Sequence, residues 1–236
     1  MRRIVKGPEP EILRKWKKDN AEVPKNLRYS ALHGTETRAI RQQMLIEQGY
    51  LCAYTMRRIR TADNCHIEHI VPQTQAPGKD LDYTNMLACF PGRFPGNKRP
   101  AEWKNPKCPY GAMQKDGTHI DETNFVSPLR EDVESRFQYC GEDGSVRSDA
   151  NDAPASNSIK ILQLNHGELI DLRKAAIDER VLDASLSAEE ADELAVAISS
   201  PGSNGMLSEF CTAIAQVSVW YANAMRSRNK LDALFE

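Results

Sequence analysis

The stretch Cys65-His66-Ile67-Glu68-His69-Ile70-Val71-Pro72 is the most informative part of this 236-residue chain. It places a carboxylate between two imidazoles, in a run whose β-branched residues favour a strand. Two later segments, Asp82-Tyr83-Thr84-Asn85-Met86-Leu87 and Gly96-Asn97-Lys98, add side-chain amides. Carboxylate, imidazole and amide groups in this order indicate a site for acid–base and metal chemistry.

These residue types suit hydrolysis of a phosphodiester. That reaction needs an activated water, and it needs charge neutralisation on the phosphate and on the leaving oxygen. One divalent cation can neutralise this charge. Because Mg²⁺ prefers oxygen ligands and keeps several waters, one carboxylate and one amide oxygen suffice to hold it. A histidine that does not bind the metal can accept the proton from water.

Together with the upstream Cys52-Ala53-Tyr54, the pattern resembles the HNH (ββα-metal) nucleases. The resemblance implies that His69 is the general base and that Glu68 is a metal ligand in place of the usual aspartate. Asn85 would hold the loop through backbone hydrogen bonds and orient the base. Asn97 would be the second protein ligand to one Mg²⁺ or Mn²⁺ ion. DNA is the default substrate and RNA the alternative, since this chemistry does not use the 2′-hydroxyl as nucleophile.

The sequence departs from the family pattern around the metal ligands. Glu68 is one methylene longer than aspartate, and the loop from Asn85 to Asn97 is longer than usual. Pro100 follows closely, so a helix that carries Asn97 must be short or begin late.

The cysteine pattern also differs from that of the family, which often holds a structural zinc on two Cys-x-x-Cys pairs. Cys52 is followed at that distance by Thr55, and Cys89 by Gly92. Both pairs are incomplete, so we expect no structural zinc. An irregular zinc site is the alternative to buried free thiols, although its spacing matches no standard ligand pattern. Its ligands would be Cys52, Cys65, Cys89 and Cys108.

Strand geometry raises a question about which side chains share the site. Neighbouring residues of a regular strand point to opposite faces. Glu68 and His69 therefore share a site only if the strand ends or twists there, as Pro72 suggests. By strict alternation His66 shares a face with Glu68, which makes His66 a reserve candidate for a metal ligand or a phosphate contact.

Basic residues flank the motif on both sides and are candidates for nucleic-acid binding through phosphate contacts. A solvated surface is the alternative interpretation. The upstream cluster is Arg57, Arg58 and Arg60, and the downstream cluster is Arg93, Lys98, Arg99 and Lys104.

Composition sets few limits on function. The formal net charge is −2, so no overall basic field indicates a nucleic-acid partner, although a local basic patch remains compatible with one. No apolar run is long enough to span a bilayer, and the first residues lack an apolar signal core. We therefore expect a cytoplasmic protein without a membrane partner, with its six cysteines reduced.

The fold class predicted from these patterns is α+β, with a ββα-metal core embedded in loops and helices. The segments are a helical or extended 1–49, an HNH core at 50–147, a linker at 148–158 and a helical part at 159–236. Two strands are predicted at 50–58 and 65–72. Helices are predicted from 11 to 18, from 35 to 49 with Thr35 as cap and Gly49 as terminator, from 188 to 197 behind a Ser187/Glu190 capping box, and from 206 to 229.

Scattered matches extend the resemblance to the HNH proteins found beside ATPases in bacterial anti-phage operons, the Septu nuclease subunit and its retron-associated relatives. The first match is the helix before 47–54 together with 47–54. The second is 125–129 with 137–139 and Gly144, and the third is 162–166 with Leu169 and Arg173. They imply an ATPase partner and a role in phage defence. Two alternatives remain: a degenerate HNH module that binds nucleic acid or a partner without cutting, and an adaptor whose apolar Met206–Tyr221 docks on an ATPase.

Overall fold

The computed structural model describes residues 1–92 and 108–232, and the fold is of mixed α+β type. Seven α-helices are present in this part: α1 (Glu11–Asp19), α2 (Gly34–Glu47), α3 (Ala112–Lys115), α4 (Ala153–Ile161), α5 (Gly167–Ile177), α6 (Ala188–Ile198) and α7 (Cys211–Asp232). Four short strands form two antiparallel pairs: β1 (His66–His69) with β2 (Met86–Cys89), and β3 (Gln138–Tyr139) with β4 (Val146–Arg147).

The central sheet differs from the one predicted. Range 65–72 contains β1, but 50–58 makes only a single antiparallel bridge, between Leu51 and Arg58. Tyr50 and Met56 both have φ of 60°, and such left-handed residues interrupt extended backbone. The actual partner of β1 is β2, which lies outside both predicted strands. The register places His66 opposite Cys89 and His69 opposite Met86.

Helix α2 ends as the sequence predicts but begins differently. Gly49 has φ of +58°, the left-handed conformation typical of the residue after a helix. Leu207 packs so closely there that a Cβ on Gly49 would lie 2.5 Å from its Cδ1. The predicted cap Thr35 is wrong, because the helix begins one residue earlier and His33 occupies the N-cap position.

The C-terminal helices form a second apolar cluster. Helix α6 has the predicted capping box between Ser187 and Glu190. Helix α7 begins at Cys211 rather than at Met206. The preceding residues are held as a loop, since Leu207 N–H donates to Gly49 O at 3.0 Å and Phe210 has φ of +54°.

The segment predicted as a linker, 148–158, contains the start of α4. Asp152 caps this helix by accepting a hydrogen bond from Ala155 N–H, and Pro154 lies in its first turn. Ala155 and Ser158 are buried. The main apolar cluster runs from Met1 to Leu169, so residues on both sides of this segment share one core.

Within the described ranges, no helix combines the length and the apolar character needed to cross a membrane.

Candidate active site

Strand β1 presents His66 and Glu68 to one cavity of about 300 Å³. The strand is regular, so its side chains alternate and these two share a face. His69, the last residue of β1, also borders the cavity, as does Asp116 just beyond α3. The geometry thus brings together Glu68, His69 and the reserve candidate His66.

His66 is held with one ring nitrogen available. Its Nδ1 lies 2.6 Å from Pro91 O. Because a carbonyl oxygen only accepts, Nδ1 carries the proton and Nε2 keeps its lone pair. Burial lowers the pKa of His66 from its usual range, which favours the neutral ring. A neutral imidazole that donates its other N–H to a backbone carbonyl has the arrangement usual for a metal-binding histidine.

His69 has the opposite tautomer. Its Nε2 lies 2.9 Å from Asp80 O, so Nε2 carries the proton and Nδ1 has the free lone pair. The ring packs edge-on to Tyr29, with centroids 5.3 Å apart, and it is 9% exposed. Burial lowers its pKa as well. A fixed, neutral imidazole of this kind is suited to accept a proton.

Glu68 pairs with a buried lysine, Lys115, that belongs to none of the motifs recognised in the sequence. Lys115 Nζ lies 2.7 Å from Glu68 Oε1, and the lysine side chain is 1% exposed. The same ammonium donates to His69 O at 3.0 Å and to Ile70 O at 3.1 Å. Burial raises the pKa of Glu68 to about 7, although Lys115 acts in the opposite direction. The ammonium group of Lys115 therefore holds both the Glu68 carboxylate and the end of β1 in place.

Asn85 joins the two strands where β1 ends and β2 begins. Its Oδ1 accepts from Val71 N–H at 2.8 Å, and its Nδ2 donates to Val71 O at 3.1 Å. Its backbone oxygen accepts from Ile70 N–H at 2.8 Å. The side chain is buried and holds backbone, as the resemblance implied, whereas its part in catalysis remains a prediction.

The residues that could hold a metal are only partly within the described ranges. No group of three His, Cys, Asp or Glu side chains suited to a metal occurs in 1–92 or 108–232. The predicted ligand Asn97 lies outside those ranges, as do Lys98, Arg99, Arg93 and Lys104. Glu68 and His66 face the same cavity and fit a hydrated divalent ion, which needs few protein ligands.

The upstream arginines border a different cavity, of about 530 Å³. Arg57 donates to Glu168 Oε1 at 2.9 Å and to the hydroxyl of Tyr110. Arg58 donates to the backbone oxygens of Gly49, Tyr50 and Leu207. Of the three arginines, only Arg60 is largely exposed.

Comparison with models of known protein families and with curated protein sequences found no match for this chain.

Proposed function

We propose that this chain is a metal-dependent nuclease of the HNH type. One observation carries the proposal: Glu68 and two neutral histidines border one cavity, and each imidazole has one nitrogen committed to a backbone carbonyl and one lone pair free. This arrangement can hold a hard cation and accept a proton side by side, which are the two needs of phosphodiester hydrolysis.

Each residue of the site would have a separate role in the reaction. Nδ1 of His69 would take a proton from the attacking water while the water oxygen bonds to phosphorus and the P–O bond to the leaving oxygen breaks. Glu68 and His66 would hold the cation, with Asn97 as a further ligand implied by the resemblance. A bound divalent ion supplies charge neutralisation on the phosphate and the leaving oxygen. Asn85 and Lys115 would keep the strand end in place.

The first experiment is cleavage of plasmid DNA and of total RNA by the purified chain with Mg²⁺ or Mn²⁺. We expect cutting of DNA in preference to RNA, and loss of cutting in His69→Ala. His119→Ala is the matched control, because this imidazole is 71% exposed and does not border the cavity. Equal cutting by His69→Ala and the parent chain would refute the mechanism.

The proposal includes a role in phage defence together with an ATPase partner, because the resemblance to the HNH proteins of anti-phage operons implies both. Much of Met206–Tyr221, the stretch considered for docking, is buried in the second apolar cluster. Its exposed apolar residues are Val219 and Trp220, at 46% and 62% exposure. We expect Trp220→Ser to weaken association with an ATPase partner while leaving cutting by the chain alone unchanged, and co-sedimentation of the two full chains would measure this.

A non-catalytic binding module is the second candidate. The observation that favours it is the Lys115 ammonium, which already lies 2.7 Å from Glu68 and neutralises the proposed ligand. A module of this kind would bind nucleic acid with or without a divalent ion and would leave it intact. Gel-shift and cleavage assays on the same samples distinguish the two candidates.

A further inference from the structure

The cavity of about 530 Å³ beside the upstream arginines is strongly charged, and the term arginine cavity is used for it below. Its volume is within the range usual for small-molecule sites. Among the described residues, it shares no lining residue with the candidate active site. Four arginines and two glutamates border it, which leaves two positive charges in excess, although the whole chain has a net charge of −2. These residues are Arg57, Arg58, Arg60, Arg180, Glu179 and Glu209.

Two of the arginines are already held by other groups of the protein. Arg57 donates to Glu168 Oε1 at 2.9 Å. The guanidinium group of Arg58 donates to three backbone oxygens. The backbone N–H of Arg58 donates to Glu209 Oε1 at 3.0 Å, so this carboxylate is engaged as well. Arg57 and Arg58 therefore form a fixed, positively charged wall of the cavity.

Arg60 and Arg180 differ from this wall because their guanidinium groups are accessible. Arg60 is exposed, and no hydrogen bond or ion pair to residues 1–92 or 108–232 engages its side chain. Arg180 is 51% exposed and lies 3.9 Å from the carboxylate of its neighbour Glu179, which is 77% exposed. Such an exposed pair contributes little free energy. Both arginines are therefore available to an anion that enters the cavity.

A π-helical turn, Asp178–Leu182, brings Arg180 to the cavity. The turn follows α5, and Ile177 and Val181 on its inner side are buried in the second apolar cluster. Glu179 and Arg180 consequently lie on its solvent side. Turns of this type are rare in proteins and occur frequently at functional sites.

We propose that the arginine cavity binds a phosphate group, with Arg60 and Arg180 as the side chains that donate to it. A guanidinium group holds its N–H donors in a planar fork that matches two phosphate oxygens. Two such groups from different chain segments can hold one phosphate from two sides. Burial lowers the pKa of Arg58, and the positive charge of Arg60 adds to this effect. A bound anion would offset the repulsion between these two cations.

The phosphate has two possible sources, a free nucleotide and the backbone of a nucleic-acid strand. Both present the same oxygens to the two arginines, so the proposal names the phosphate and the experiment distinguishes the sources. No residue of the candidate active site takes part. The inference therefore stands whether or not the chain is a nuclease.

Binding to the full chain, measured in EDTA, tests the site without metal ions or cleavage. The probes are ATP, by titration calorimetry, and a fluorescein-labelled DNA duplex, by anisotropy at several salt concentrations. We expect the parent chain to bind at least one probe, and Arg60→Met and Arg180→Met each to weaken that binding about tenfold. Arg180→Lys keeps the charge but loses the fork, so its loss should be smaller.

Arg147→Met is the matched control, because Arg147 is 69% exposed, lies 3.7 Å from Asp143 and does not border the cavity. It should bind as the parent chain does, and all four variants should keep the parent melting temperature. Weaker ATP binding in the Arg60 and Arg180 variants would identify a nucleotide site. Weaker DNA binding alone, with a smaller salt slope, would identify a backbone site.

Three results would overturn the proposal. The first is that the parent chain binds neither probe. The second is that Arg60→Met and Arg180→Met both bind as tightly as the parent chain. The third is an equal loss in Arg147→Met, which would show an effect of overall charge rather than of this cavity.

Discussion

At the scale of single residues, each polar group of the candidate site is held in position by a small number of contacts. His69 and His66 each have one hydrogen bond to a backbone oxygen that sets the tautomer. Glu68 is oriented by Lys115, whose three contacts reach the carboxylate and two carbonyl oxygens. Loss of the Lys115 ammonium therefore changes both the charge balance and the geometry of the cavity.

Lys115→Met tests this directly. The change leaves the Glu68 carboxylate buried without a counter-ion, and breaking a buried ion pair from one side costs about 3–5 kcal/mol. Urea unfolding should show a loss of this order, whereas the exposed Lys25→Met should leave stability unchanged. Adding Glu68→Gln to Lys115→Met should restore part of the loss. If the double variant is as unstable as the sum of the two single variants, the pair is not coupled.

Asn85→Ala should reduce both stability and cutting. The amide holds Val71 through its N–H and its carbonyl oxygen, and loss of such partners for buried backbone costs about 1–3 kcal/mol. Asn85→Asp keeps the acceptor but loses the donor, so we expect an intermediate effect. Melting temperature and cleavage rate, measured on the same preparations, test whether the two properties fall together. Full stability in Asn85→Ala would contradict the bridging role.

At the scale of elements, local signals in the sequence predicted helices better than strands. The capping box of Ser187 and Glu190 and the terminal Gly49 are short-range patterns, and both occur as expected. The partner of β1 was missed because strand pairing depends on contacts far apart in sequence. Lys115 was missed for the same reason, since its ion pair with Glu68 joins residues that share no local motif.

Gly49 is the element-scale position where a substitution has the clearest expected effect. Gly49→Ala would strain a φ of +58° and push a methyl group against Leu207, so it should cost more than 1 kcal/mol, roughly the strain of a left-handed non-glycine residue. Gly34→Ala, at the start of the same helix, has no heavy atom within 4 Å of the added Cβ. We expect that control to be neutral or slightly stabilising. Equal melting temperatures for the two variants would argue against the packing of α2 on Leu207.

At the scale of the whole molecule, the loop between α2 and β1 joins the two apolar clusters. Cys52 and Tyr54 belong to the first cluster, and Leu51 and Met56 to the second. Arg58 reinforces the junction, because it reaches Leu207 O from a loop that also carries Arg60. The arginines predicted as one nucleic-acid-binding cluster therefore differ in what they contact.

Arg58→Met and Arg60→Met should distinguish a structural role of Arg58 at the junction from a phosphate-binding role of Arg60. Arg58→Met removes donors from the carbonyl groups of Gly49, Tyr50 and Leu207, so we expect a lower melting temperature. Arg60→Met should leave the melting temperature unchanged, because this side chain is exposed. If Arg60 contacts phosphate, its variant should also bind DNA more weakly, and the slope of log affinity against log salt should decrease by about 0.9. An unchanged slope would assign Arg60 to the solvated surface, and a fully stable Arg58→Met would contradict its role at the junction.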